Sequence, residues 1–370
     1  MPIPGLRLGL EDGASDRFAA MCGGIAASGQ FVLGPYTDQL QAWVGAEFGG
    51  VALAYSSCTD AQQAYLTAVQ AEVCIMVGYS FPSTMVAAVR SGARLLTVDC
   101  DPFQMTFALD QIRQALETTQ ESRVVVMLSH LGGYAFEGMA ALKLLCQEYG
   151  ALLAEDISHS WGAYDSHNDE AGHWGDVVFA SLFATKPLHA ATGGVVILRS
   201  QGKDSGVYDR LVSMREYGCE SPSKKSVLVH AGGSWRLSEM EAALFIVNYW
   251  NYSKEIARRN WIIKQYLEAN PSRVFAAPPG SRPNGYRAFL LVDSIGGAEQ
   301  YFQRNQIGLV GRVYESPGDQ SPILQGDVQR ISGQVSTPEL KWSNGHVCLP
   351  CYGPMSDGEV YHVCSALRSF

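Results

Sequence analysis

Between residues 51 and 199, short apolar runs alternate with stretches in which apolar positions recur every third or fourth residue. The runs VALAY (51–55), EVCIMVGY (72–79), ARLLTVD (93–99), RVVVMLSHL (123–131), ALLAED (151–156), VVFASLF (177–183) and GVVILR (194–199) read as strands. Helical spacing marks TDAQQAYLTAVQ (59–70), ALDQIRQALE (108–117) and GMAALKLLCQEYG (138–150), the last of which stops on a glycine. Runs that lack polar alternation suit strands buried on both faces. The pattern therefore predicts an α/β fold with a mostly parallel sheet. Ligands of such sheets bind beyond the carboxyl ends of the strands. That rule selects Ser56 to Asp60, Tyr79 to Phe81, His130, Asp156 to His159, and Ser181 to Lys186.

After about residue 200 the pattern changes. GCESPSKKS (218–226) reads as a polar loop, and RLSEMEAALFIVNYW (236–250) as a helix opened by a Ser238/Glu241 capping box. A second helical stretch covers 253–270, and the Pro- and Gly-rich 270–286 reads as a linker or irregular crossing. YRAFLLVDS, AEQYFQRNQ and DGEVYHVCSALRSF then predict a smaller α/β unit. The expected division is a large domain at 1–250, N-terminal segment included, and a small C-terminal domain at 251–370.

A chain of 370 residues is long enough for two domains. Its formal charge of −9 gives no basic footprint for nucleic acid. No apolar run reaches the length of a membrane span, and MPIPGLRLGLEDGASD lacks the basic-then-apolar layout of a signal peptide. A cytoplasmic protein is the expectation. Nine scattered cysteines, an odd number, read as reduced thiols. The close pair Cys348 and Cys351 (CLPC) lacks the second half of a zinc ribbon, so buried structural thiols are expected there.

The strand ends carry the chemistry. SSCTDAQQ puts hydroxyls at a helix start, which is either an anion cradle or an ordinary cap. LLAEDISHSWG ends a buried strand on Glu155 and Asp156, with His159 three residues on. Asp156 either pairs with a protonated pyridine nitrogen or is a structural carboxylate satisfied by an arginine or backbone. Lys186, in SLFATKPLHAATGG, is either a surface cation or a reactive amine in a pocket. One loop and one strand separate it from Asp156, the spacing of two adjacent strand ends on one crevice. Ser181 can add a hydroxyl to a phosphate. Taken together, an anion cradle, an aromatic, an Asp, a His and a Lys form the set that pyridoxal 5′-phosphate (PLP) requires.

In these residues the chain resembles the DegT/DnrJ/EryC1/StrS family of PLP-dependent sugar aminotransferases, of the aspartate-aminotransferase fold (fold type I). The likeness runs from SGQFVLGPYTDQLQAWVGAEFGG through SSCTDA, VGYSFPST, ARLLTVDCDP, SHLGGYAFEGMAAL, LLAEDISHSWGA, GDVVFASLFATKPL and GGSWRLSEMEAAL to VCLPCYGPMSDGEV. It implies Lys186 as the Schiff-base lysine, Asp156 as the partner of the pyridine nitrogen and His159 as the partner of the phenolic oxygen. Phe81 is implied as the aromatic stacked on the ring, and Thr59, the amide of Asp60 and Ser181 as the phosphate grip. Ser234 stands in GGSWR, where the family usually has Asn in a segment that reaches across a dimer interface to the phosphate. A homodimer with a shared active site is implied, as is a ping-pong transfer from an amino acid donor, glutamate or glutamine, to a keto acceptor. Relatives that deoxygenate sugars carry His in place of the lysine, so Lys186 favours transamination.

Several segments depart from the family. YESPGDQSPILQG replaces the usual His-containing sugar-binding stretch, REYG replaces Arg-Asn-His-Gly, and FATKPLHAATGG has fewer glycines than usual. Another PLP reaction on the same fold (elimination, condensation or cyclisation) therefore stays open, as does a non-catalytic binding or regulatory relative. Outside the core set, His189, His130, Tyr217 and Arg236 are candidates for substrate contact, each against a structural reading. Trp161 and Trp174 read as packing residues.

Overall fold

The computed structural model of the protein describes residues 2–10, 13–100, 108–199, 206–220, 226–333 and 337–370. The loop read at 218–226 and the end of ARLLTVDCDP lie partly outside the described residues. Helices α1 (Ala14–Ser28) and α2 (Pro35–Glu47) lead into β1 (Val51–Tyr55), α3 (Cys58–Ala68), β2 (Val73–Val77), α4 (Pro82–Arg90) and β3 (Arg94–Val98). The alternation continues through α5 (Leu109–Thr118), β4 (Val124–Ser129), α6 (Met139–Glu148) and β5 (Leu152–Asp156), then β6 (Val177–Ser181) and β7 (Gly194–Leu198). After these come α7 (Val207–Arg215), α8 (Glu239–Tyr249), α9 (Tyr252–Ala269), β8 (Ala288–Leu291) and α10 (Ile295–Arg304). The chain closes with β9 (Val328–Arg330), α11 (Thr337–Asn344), β10 (His346–Leu349) and α12 (Asp357–Arg368).

The large sheet has the order β1-β7-β6-β5-β4-β2-β3-β9. Its pairings are parallel except at β7, which runs antiparallel to both β1 and β6. Every strand but β7 thus points its carboxyl end at the same edge.

Burial on both faces explains the apolar runs. In β2, Cys74 and Met76 pack with Ala61, Ala64 and Tyr65 of α3. Val73, Ile75 and Val77 pack on the other face with Ile112 of α5 and Leu142 of α6. Each Val, Leu, Ile or Met side chain so withdrawn from water stabilises the fold by roughly 1.5–3 kcal/mol. A separate two-stranded sheet, β10-β8, packs with α9, α10 and α12 around Ile262, Phe302 and Val363.

The capping box at α8 forms as read: the Ser238 hydroxyl accepts from the Glu241 amide, and the Glu241 carboxylate accepts in return from the Ser238 amide. Helices α1, α2, α7 and α11 and strands β9 and β10 escaped the sequence reading. Helix α2 begins with Pro35 at its first turn, and Glu239, at the start of α8, accepts from the amides of Gly34, Tyr36 and Thr37. Strand β9 is three residues long and comes from far down the chain. Arg330 anchors it by ion pairs to Asp99 (2.8 Å) and Asp319 (2.5 Å).

Candidate active site

A cavity of about 440 Å³ opens at the carboxyl edge of the large sheet. Its walls include Thr59, Phe81, Asp156, His159, Ser181 and Lys186. Six residues selected from the sequence therefore meet in one place.

The first wall is the start of α3. Ser57 caps it, its hydroxyl accepting from the Asp60 amide at 3.1 Å. The Asp60 carboxylate accepts from the hydroxyls of Ser56 (2.8 Å) and Ser57 (2.7 Å). The cap and cradle readings thus divide between atoms. The Asp60 amide is spent on Ser57, while the first-turn amides of Cys58 and Thr59 have no carbonyl one turn back to accept them. The Ser181 hydroxyl accepts from the Phe183 amide at 3.3 Å, which leaves its proton free to donate. Gly194 allows this closeness: a Cβ there would sit 2.2 Å from the Cys58 backbone nitrogen.

The floor is the end of β5. Asp156 is buried at 7% exposure and accepts from Gln62 Nε2 and from the Ser158 amide, each at 2.9 Å. Of the structural partners anticipated for it, the backbone amide is present; no arginine pairs with it among the described residues. Each of its oxygens keeps acceptor capacity for a further donor.

The next residue back, Glu155, looks away from the cavity. It is fully buried and accepts from His130 Nε2 at 2.9 Å and from the amides of Gly172, Trp174 and Gly175. Burial raises the Glu155 carboxyl, but the His130 contact and the Gly172 and Gly175 amides outweigh it and hold its pKa below the ordinary value. His130 Nδ1 accepts from the Phe136 amide, so this histidine takes the structural reading.

His159 is buried against Tyr286, the ring centroids 4.5 Å apart. Burial, then the charges of Lys186 and Arg287, push its pKa well below the usual histidine value. The ring is neutral at working pH. Its Nδ1 accepts from the Gly132 amide at 3.4 Å, which leaves the proton on Nε2 as a donor.

Lys186 follows β6 in a tight turn, its amide bonded to the Phe183 carbonyl at 2.9 Å. The Leu182 and Ala190 backbones, paired on each other and on Gly193, fold this loop back on itself. The Lys186 ammonium lies 5.3 Å from the Tyr286 ring centroid. Phe81 caps α4 on the cavity wall and remains 54% exposed, so its face is open to a ring.

Other candidates lie elsewhere. Ser234 is bonded to Arg236 Nη2 (2.6 Å), and Arg236 also reaches Tyr217 Oη (2.9 Å) and Glu216 (2.9 Å), a cluster outside the cavity lining. His189 bonds to the Ala190 carbonyl (3.0 Å) and Trp161 Nε1 to Glu47 (2.7 Å), and neither lines the cavity. Cys348 and Cys351 are buried free thiols, both pushed up to about 12 by burial. Gln62, Tyr286, Arg287 and Tyr314 line the cavity and escaped the sequence reading. Gln62 sits one helical turn after Thr59, a spacing that gives a usable signal. The last three come from irregular stretches that have no periodicity to read.

The donor set fits PLP. Hydroxyls and helix amides at one end suit a phosphate, a carboxylate with spare acceptor capacity suits a pyridinium, and an amine suits an aldehyde.

Comparison with known proteins agrees. The model of the DegT/DnrJ/EryC1/StrS aminotransferase family matches residues 14–368. A "Pleiotropic regulatory protein" of Geobacillus stearothermophilus is 27% identical over 238 residues, 61% of this chain and 59% of that protein, so the matched part spans under two thirds of the relative. The fold superposes on S. venezuelae DesV, solved with a ketimine intermediate, at a TM-score of 0.87 and 20% identity, covering 100% of this chain and 98% of that one. The sugar aminotransferase CalS13 of Micromonospora echinospora gives 0.80 at 21% identity, covering 99% of each chain. The chain belongs to the DegT/DnrJ/EryC1/StrS aminotransferase family, whose members are PLP-dependent fold type I enzymes.

Proposed function

We propose that this protein moves an amino group from an amino acid donor, glutamate or glutamine, to the keto group of a sugar-like or related biosynthetic intermediate. The observation that carries the reading is the lysine amine and the carboxylate held on adjacent, parallel strand ends around one cavity. The sugar-like acceptor follows the solved relative named a sugar aminotransferase.

Lys186 Nζ would hold the cofactor through its aldehyde, Asp156 its ring nitrogen and His159 its phenolic oxygen. Phe81 would cover the ring, and Thr59, the α3 amides and Ser181 would hold the phosphate. Bound PLP supplies an electron sink for the charge that develops on the substrate carbon. The protein's own part is proton handling. Lys186 Nζ would take the proton from the donor's α-carbon and return it as general acid. Asp156 keeps its partner nitrogen charged. His159, neutral and donating through Nε2, adds no ionisation near pH 6.5 to this sequence.

The active unit is proposed to be a homodimer. Phe31, Val32, Val227, Leu228 and Val229 are exposed near the Ser234–Arg236–Tyr217 cluster, and a second copy would cover them and bring Ser234 towards its partner's cavity. A dimeric mass in sedimentation is the expected result. Lys186→Ala is expected to abolish the visible absorption band of bound cofactor and to lower amino transfer by about 10⁴-fold. An unchanged spectrum would refute the assignment.

A further inference from the structure

The cavity contains a second cation that the transfer chemistry leaves unused. Arg287 immediately precedes β8 of the small sheet and lines the cavity from there. Its guanidinium carbon lies 4.1 Å from the Tyr286 ring centroid, the same ring that Lys186 approaches at 5.3 Å. Among the described residues the guanidinium makes one hydrogen bond, from Nη2 to Tyr286 Oη at 3.0 Å. Its Nε is buried and has no hydrogen-bond partner among the described residues. No carboxylate pairs with it among the described residues. Asp156, the carboxylate lining this cavity, is already engaged by Gln62 and Ser158.

A guanidinium presents five donors in a fixed fork that matches a carboxylate in two parallel bonds. A half-buried one with an idle Nε is costly to keep unless an anion arrives to satisfy it. Tyr286 registers the same field. Burial works to raise its phenol, but the Lys186 and Arg287 charges prevail and hold it below the ordinary value. The phosphate end of the cavity is built by α3 and Ser181, from a different sheet. The anion that Arg287 awaits is therefore a group on the substrate.

We propose that Arg287 is the specificity-determining residue for a substrate carboxylate, so that both the amino donor and the keto acceptor bear a carboxylate within reach of the reacting carbon. The inference rests on the aminotransferase reading. Both half-reactions use one cavity, so each substrate in turn meets the same unpaired fork. The acceptor class is then an acidic ketone, a keto acid or a keto sugar acid, in preference to a neutral keto sugar.

The test uses the PLP-loaded full chain and two readouts. The first follows conversion of the cofactor from aldehyde to amine form with L-glutamate and with isopropylamine, which has no carboxylate. The reverse half-reaction uses pyruvate and the neutral ketone dihydroxyacetone. The second is calorimetric titration with glutarate, an unreactive diacid, which reports binding without turnover. Arg287→Gln is expected to slow the L-glutamate and pyruvate reactions by about 10- to 100-fold. It should leave isopropylamine and dihydroxyacetone within about 3-fold and abolish glutarate binding, with Arg287→Lys in between. Equal slowing of acidic and neutral substrates, or glutarate binding to Arg287→Gln as to the parent, would overturn the proposal. If the parent converts no cofactor with any amine, the aminotransferase reading fails, and the glutarate titration still decides the role of Arg287. Should Arg287→Gln lose its cofactor, Arg287→Lys takes its place in the same titration, and undiminished glutarate affinity there would count against the fork.

Discussion

The two walls of the cavity are built differently. One is made of strand ends and a helix start: Thr59, Asp156, Ser181 and Lys186 are fixed by sheet register and by short turns. The other is made of Tyr286 and Arg287, just before β8, and Tyr314, in the loop after α10, tied to the first by ring contacts. Tyr314 lies 6.1 Å from His159 and 6.0 Å from Phe81 between ring centroids. Groups that must keep fixed geometry sit where backbone hydrogen bonds hold them. Groups proposed to meet the substrate sit where side chains can change without disturbing the sheet.

Substitutions should separate the walls. Asp156→Ala is expected to lower the rate of cofactor conversion by about 10²–10⁴-fold, measured as a single-turnover absorbance change. An effect equal for acidic and neutral amines would place it on the cofactor side.

Loss of Glu155 should be felt as stability. Glu155→Ala leaves His130 and three amides without their acceptor and is expected to cost about 3–5 kcal/mol in urea unfolding. The native Glu155 carboxyl titrates below its unfolded value. Its stabilising contribution is therefore complete above the ordinary carboxylate pKa and is lost as pH falls through the lower, folded value. Glu155→Gln should flatten that acid limb of the stability profile, and an unchanged limb would assign the acid sensitivity to other groups.

Tyr314→Ala should have the smallest effect. Removing an aromatic contact worth about 0.5–1.5 kcal/mol is expected to raise the KM for the acceptor by roughly 2- to 10-fold, with the visible band intact. A lost band would mean that the second wall also holds the cofactor.

The first wall was legible in the sequence and the second was not, for a physical reason. A strand buried on both faces needs an unbroken apolar run, so VVVMLS, LLAED and VVFAS announce both the strands and the points where they end. Residues just past those points are then chemical candidates. Tyr286 and Arg287 follow a Pro- and Gly-rich crossing, and Tyr314 sits in a loop whose position depends on contacts far away in sequence. Gln41 was also silent: its side chain accepts from the Ala54 amide and from Arg215, and neither contact leaves a periodic trace. Strand β9 is too short for a pattern, and ion pairs to Asp99 and Asp319 place it.

Glu155 and Asp156 are neighbours on one strand with opposite duties, and the pleat turns them to opposite sides. A one-residue insertion or deletion within β5 would exchange them, swinging a scaffold carboxylate into the cavity and burying the reactive one among amides. Length changes in this lineage should therefore fall outside residues 152–156, even if many single replacements inside that stretch are accepted.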